Sequence, residues 1–189
     1  MKKKTKITFL FVVLGIIVIA LIGYRYWYSK EALSALKHQP DVALIKQTEK
    51  NVSVIPTPEF PYSYALMQEG VIQHLDRNYT YDVIPDALEG GVLFQGIHRP
   101  PKGTSLKIQA NEAIEVYFFF HYKVDGGYSE IFPNLDGWKK LNIAPQYDIH
   151  NGDHGLKMIM YKKVLKKGSY VIPPTTKDKA CFSIVFKNR

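Results

Sequence analysis

AIEVYFFFHY, residues 113–122, is the stretch that decides the fold. In an extended chain, side chains two apart share a face, so Ile114, Val116, Phe118, Phe120 and Tyr122 line one side. Ala113, Glu115, Tyr117, Phe119 and His121 line the other. One face is wholly apolar and the other mixed, the pattern of a central strand between packed layers. Near the C-terminus the run repeats, with Phe182, Ile184 and Phe186 set against Cys181, Ser183 and Val185. In SLKIQ, residues 105–109, Leu106 and Ile108 alternate with polar neighbours.

Working outward, the same texture of short alternating runs broken by Gly, Pro, Asn and Asp covers residues 65–189. It predicts strands over 71–75, 79–84, 92–97, 105–109, 113–122, 156–165, 169–172 and 180–187. No helical periodicity of useful length interrupts them. The expected class is all-β, a single β-sandwich or jelly-roll-like domain. Residues 125–155 are poor in pattern and rich in turn dipeptides (Gly126-Gly127, Pro133-Asn134, Asp136-Gly137, Asn151-Gly152), so they read as a long, aromatic-bearing loop region.

The N-terminal part has a different character. Ile7 to Gly23 carries one weakly polar side chain, Thr8, and no charge, directly behind Lys2, Lys3, Lys4 and Lys6. In hydrocarbon only a helix satisfies its own backbone here, and at about 1.5 Å per residue this one reaches roughly 25 Å. Tyr24, Tyr26, Trp27 and Tyr28 complete the span as an interfacial belt. The expectation is a single-pass membrane anchor over 7–28, with a basic cytoplasmic tail (1–6) and the rest outside the cytoplasm. A cleaved secretory signal is the rival reading, but cutting after Gly23 or Ala20 leaves Leu21 or Val18 where a small residue belongs. Residues 29–50 predict a helical stalk: Ser29 suits the cap, Pro40 interrupts, and Asp41 caps a second piece through Lys46 or Gln47. Pro56, Pro58 and Pro61 then read as an extended linker over 51–64.

Charge bounds the partners. The 189 residues carry a formal net charge of +8, but Lys2, Lys3, Lys4, Lys6 and Arg25 supply five of these, leaving +3 outside the anchor. The basic excess is thus largely a topology signal and does not mark a nucleic-acid binder. Lys162, Lys163, Lys166 and Lys167 bracket a turn ending in Gly168. They suit a solvated hairpin tip that discourages edge pairing, or contact with anionic lipid or wall polymer. The single cysteine, Cys181, excludes an internal disulfide and reads as a packed thiol.

Three constellations carry chemical interest. His150, Asp153 and His154, with His121 at the end of the long strand, offer imidazole and carboxylate donors for zinc or a similar metal. The same residues also suit a turn in which Asn151 and Asp153 bond local backbone. Tyr128, Phe132, Trp138 and Tyr147 would serve either as a stacking platform for a sugar ring or as a minor core over the open end of the sandwich. Asp125, Glu130, Asp136 and Asp148 invite a glycosidase-type pair, though nothing in their spacing sets a separation. No G-x-S-x-G elbow, phosphate-cradling glycine loop, H-E-x-x-H or C-x-x-C occurs, so no catalytic set and no cofactor is expected.

VLFQGIHRPPKGTSLKIQ, IEVYFFFHY, FPNLDGWKKL and MYKKVLKKGSYVIPP, in that order, resemble small accessory β-sandwich domains of secreted, carbohydrate-associated bacterial proteins. The resemblance spans roughly residues 80–187 and omits the anchor and stalk. It implies a non-catalytic module that binds or scaffolds, with a glycan, wall polymer or envelope protein as partner. The alternatives are a metal-dependent hydrolase using the His/Asp cluster, and a structural subunit of an envelope complex.

Overall fold

The computed structural model describes residues 42–121, 135, 137–149, 154–172, 174 and 181–189. The expected membrane anchor over 7–28, the first part of the expected stalk and much of the 125–155 region lie outside these residues. Among the described residues no helix is long and apolar enough to cross a membrane.

Among the described residues, helix α1 (Val42–Asn51) leads into twelve strands: β1 (Val52–Thr57), β2 (Ser63–Leu66), β3 (Ile72–His74), β4 (Arg77–Val83), β5 (Val92–Gln95), β6 (Ser105–Ala110), β7 (Ile114–His121), β8 (Lys139–Lys140), β9 (Gln146–Asp148), β10 (Leu156–Leu165), β11 (Gly168–Ile172) and β12 (Phe182–Asn188). All pairings between them are antiparallel. A small sheet has the order β1-β6-β11. A large one runs β2-β5-β12-β7-β10-β9-β4-β3, with β8 beside β10.

Two apolar clusters lie on the two faces of β7, as its alternation requires. Ile114, Val116, Phe118 and Phe120 join Phe182, Ile184 and Phe186 of β12, and pack against Val52, Val54, Leu106, Ile108 and Ile172 of the small sheet. Tyr117, Phe119 and Val185 point the other way, onto Tyr81, Leu93, Tyr147 and Met160. That second cluster is covered by the large sheet itself, which curls until β3 returns to β5. The Leu75 N–H donates to the Gly96 carbonyl at 3.0 Å across this seam. Phe118, Phe119 and Phe120 are therefore all buried, each contributing about 1.5–3 kcal/mol of transfer free energy.

The expected linker over 51–64 is instead part of the domain. β1 pairs with β6 from Val52↔Ala110 to Thr57↔Ser105, and its alternate residues Val52 and Val54 are buried. Proline is compatible with this placement because β1 is an edge strand, where a missing N–H breaks no ladder. Helix α1 extends to Asn51, beyond the expected end at Lys46 or Gln47, and is fastened to the domain. Asn51 Nδ2 donates to Asn188 Oδ1 at 3.1 Å, Asn188 Nδ2 donates to Thr48 Oγ1 at 3.3 Å, and Asn111 Nδ2 donates to the Lys50 carbonyl. Residues 41–189 form one compact unit. The lysine-rich turn after β10 is likewise no hairpin tip, because β11 pairs with β6 and the chain there crosses between sheets.

Candidate functional site

The curled sheet brings three histidines together. His74 ends β3, His98 follows β5, and His121 ends β7. All three are buried, with ring centres 5.3 Å (His74–His98), 6.0 Å (His74–His121) and 6.1 Å (His98–His121) apart. Cys181 enters through strand register. β12 pairs with β7 from Phe182↔Phe120, so Cys181 falls beside His121, whose N–H points at the Cys181 carbonyl. One ligand atom each from His98, His121 and Cys181 lies within 4.8 Å of the others.

Hydrogen bonds orient the group. His121 Nε2 is 2.8 Å from Gln73 Oε1, and the Gln73 amide nitrogen faces the Met158 sulfur. An amide oxygen can only accept, so Nε2 carries the proton and Nδ1 holds the lone pair. Gln73 also bonds Tyr81, whose hydroxyl donates to Ser183 Oγ at 2.8 Å. Asp76 Oδ1 accepts from the His98 backbone N–H at 2.7 Å, which holds the loop in place. Tyr147 stacks on His121 at 4.0 Å and Tyr79 stands edge-on to His98 at 4.9 Å.

Burial controls the protonation states. Desolvation, followed by the neighbouring His98 and Arg77, lowers His74 to about 3. His98 is lowered to about 4 by desolvation, Arg99 and Arg77, with Asp76 opposing. Desolvation and the other two rings hold His121 well below the ordinary histidine value. Burial pushes the Cys181 thiol up to about 12. At neutral pH the centre is thus three neutral imidazoles and a protonated thiol, a set of N and S donors suited to a borderline or soft metal ion.

The residues singled out from sequence are distributed differently from what was expected. Among the metal candidates, His121 belongs to this centre. His154 lies elsewhere, its Nδ1 2.7 Å from Asp148 Oδ2 in a group completed by Asp82, which accepts from the Gly155 N–H. His150 and Asp153 lie outside the described residues. Among the aromatic candidates, Trp138 packs on Phe118 with the first cluster, while Tyr147 is buried in the second. These two therefore occupy opposite faces of the large sheet and do not share a platform; Tyr128 and Phe132 lie outside the described residues.

Sequence reasoning missed His74, His98, Gln73 and the partnership of Cys181 with His121. The signal that would have found the last of these is the β7–β12 register, since the two alternating runs align His121 with Cys181 when their apolar faces are matched.

No family profile matches the sequence, and no curated protein matches it. The fold is similar to parts of two carbohydrate-active enzymes of known structure. One is a β-glucuronidase from glycoside hydrolase family 2, at 15% identity and a TM-score of 0.55, covering 71% of this chain and 14% of that one. The other is a GH138 enzyme targeting pectin rhamnogalacturonan II, at 12% identity and a TM-score of 0.50, covering 74% of this chain and 16% of that one. The chain thus corresponds to about a seventh of either enzyme, and the likeness is one of fold.

Proposed function

We propose that this chain is a membrane-tethered, extracytoplasmic β-sandwich module that binds or scaffolds a glycan or wall polymer and does not catalyse its turnover. The observation that carries the reading is its likeness to a β-domain-sized part of two carbohydrate-active enzymes. The uncharged run over 7–23 behind four lysines supports the tether.

The surface that suits such a ligand surrounds Trp138. A turn closed by the Trp138 N–H on the Leu135 carbonyl, with Gly137 at positive φ, presents the indole half-exposed. Lys163 Nζ sits 5.9 Å over its ring. The exposed Lys139 and Lys140 follow on β8, paired to Lys162 and Tyr161 of β10. An aromatic face ringed by ammonium groups fits an anionic polysaccharide, the ring taking apolar sugar faces and the lysines taking acid groups.

The test is retention of the purified full-length chain on immobilised anionic and neutral wall polysaccharides. Lys139→Glu with Lys140→Glu should release the anionic polymer at lower salt while leaving the thermal midpoint unchanged, and Trp138→Ala should reduce retention further. Failure to retain any polymer would exclude the glycan reading. Topology is checked separately. Protease added to intact cells should remove the domain, and complete protection would place it inside.

A further inference from the structure

The histidine centre is unlike an ordinary core. Both ring nitrogens of His74 and Nδ1 of His98 are buried without a hydrogen-bond partner among the described residues. Each such group costs about 1–3 kcal/mol if left unpaired. A fold that only needed to fill this space would do so with Phe or Leu. Three converging imidazoles beside a thiol, with nitrogen lone pairs left over, ask for a Lewis acid.

Three donors already fit one, since His98, His121 and Cys181 each bring a ligand atom within 4.8 Å of the others, while His74 stands outside that set and adjoins it by its ring. Zinc–imidazole bonds of about 2.0–2.1 Å in a tetrahedron set ring centres about 5 Å apart. The three observed separations, 5.3, 6.0 and 6.1 Å, exceed this by about an ångström or less. The Gln73 contact fixes the tautomer that leaves His121 Nδ1 free to coordinate, as the outer partners of metal-bound histidines commonly do. Exposed Arg99 hydrogen-bonds the Cys181 sulfur, an interaction that the metal would replace.

We propose that His98, His121 and Cys181, with His74 as fourth donor, form a closed tetrahedral site for zinc. On binding, the Cys181 sulfur bonds the ion and its proton leaves to solvent, while the imidazoles contribute lone pairs with no change of protonation. All four positions are filled by protein, so the site is structural. It joins β3, the turn after β5, the end of β7 and the entry to β12, closing the seam where the large sheet curls onto itself. Zinc is favoured over copper because the fourth donor is an imidazole, whereas the His2Cys copper sites keep a long, weak axial ligand. The site is separate from the Trp138 surface, and its fate does not depend on glycan binding.

The experiment is metal analysis of the full-length chain purified in detergent without chelator, followed by replacement with cobalt. About one zinc per chain is expected, and the cobalt form should show tetrahedral ligand-field absorption with a thiolate charge-transfer band. Cys181→Ser should remove that band, and His74→Ala should lower affinity. Gln73→Leu, which touches no metal, should weaken binding about 10–100-fold. Should the variants fail to fold, the wild-type cobalt spectrum decides alone. A wild-type chain that takes up no metal, cobalt bound without a thiolate band, preferential filling by copper, or metal lost through Asp82→Asn in place of Cys181→Ser would each overturn the proposal.

Discussion

At His74, His98 and His121, burial removes the water that would solvate an imidazolium, and the consequence is a defined acid sensitivity. The unfolded chain takes up protons on these rings near pH 6.5, whereas His74 and His98 in the fold wait until about 3 and about 4. Between those limits the unfolded state binds more protons, so stability is fully present above pH 6.5 and falls as the pH drops. Each of these two rings then costs about 2 kcal/mol by pH 5. The charged groups facing them, Arg77 and Arg99, reinforce the direction, and Asp76 opposes it at His98. For chelator-treated chain we expect thermal midpoints that hold from pH 8 to 6.5 and decline steeply towards pH 5, with His74→Phe flattening the decline. Midpoints independent of pH over that interval would contradict neutral burial of the rings.

Among elements, the strands with alternation or clear turn boundaries were legible, including the short β3 and the edge strand β11, whereas β1, β2, β8 and β9 were not. β7 and β12 bury both faces, and their eight and seven residues are long enough for two-residue alternation to assign each side chain its face, even through the identical Phe118, Phe119 and Phe120. β8 and β9, of two and three residues, are shorter than any period that could reveal them. β1 carries Pro56 within the strand and Pro58 just past it, which from sequence alone means linker, and only its edge position makes that proline tolerable. The candidate site was less legible for the same reason. His74, His98, His121 and Cys181 come from four segments that only the curl of the sheet assembles, and no local spacing records it. The polar fastening of α1 also belongs to this scale. Asn51, Thr48 and Asn188 are 137–140 residues apart in the paired contacts, yet they share an amide and hydroxyl network. Asn188→Ala should cost about 1–2 kcal/mol in denaturant unfolding by stranding partly buried partners. A double-mutant cycle with Asn51→Ala should give a coupling of about 0.5 kcal/mol or more. Strict additivity would mean that the helix merely rests against the sheet.

For the whole molecule, the question is where the folding unit begins. A linker ending at residue 64 would make residues 65–189 self-sufficient, whereas the observed topology makes β1 part of the core and fastens α1 to it. Without residues 41–64, β6 loses a six-residue pairing, and the first cluster loses Val52, Val54 and Phe60, all nearly inaccessible to solvent. At about 1.5–3 kcal/mol per buried side chain, this loss rivals the roughly 5–15 kcal/mol by which a domain is stable at all. The fragment 41–189 should therefore unfold in one cooperative transition. The fragment 65–189 should give no sigmoidal melt and should bind hydrophobic dyes, because Leu106, Ile108 and Phe94 lose their cover. If 65–189 instead melts cooperatively at the midpoint of the longer fragment, β1 is dispensable and the two-sheet packing is not what holds the fold. Because β3, β5, β7 and β12 meet at the histidine centre, the same comparison made with and without zinc also asks how far the curl of the large sheet depends on the smaller sheet. Zinc should raise the midpoint of 41–189 by mass action through its folded-state site, and should leave 65–189 without a transition, since a site assembled by tertiary packing is absent from a chain that does not pack.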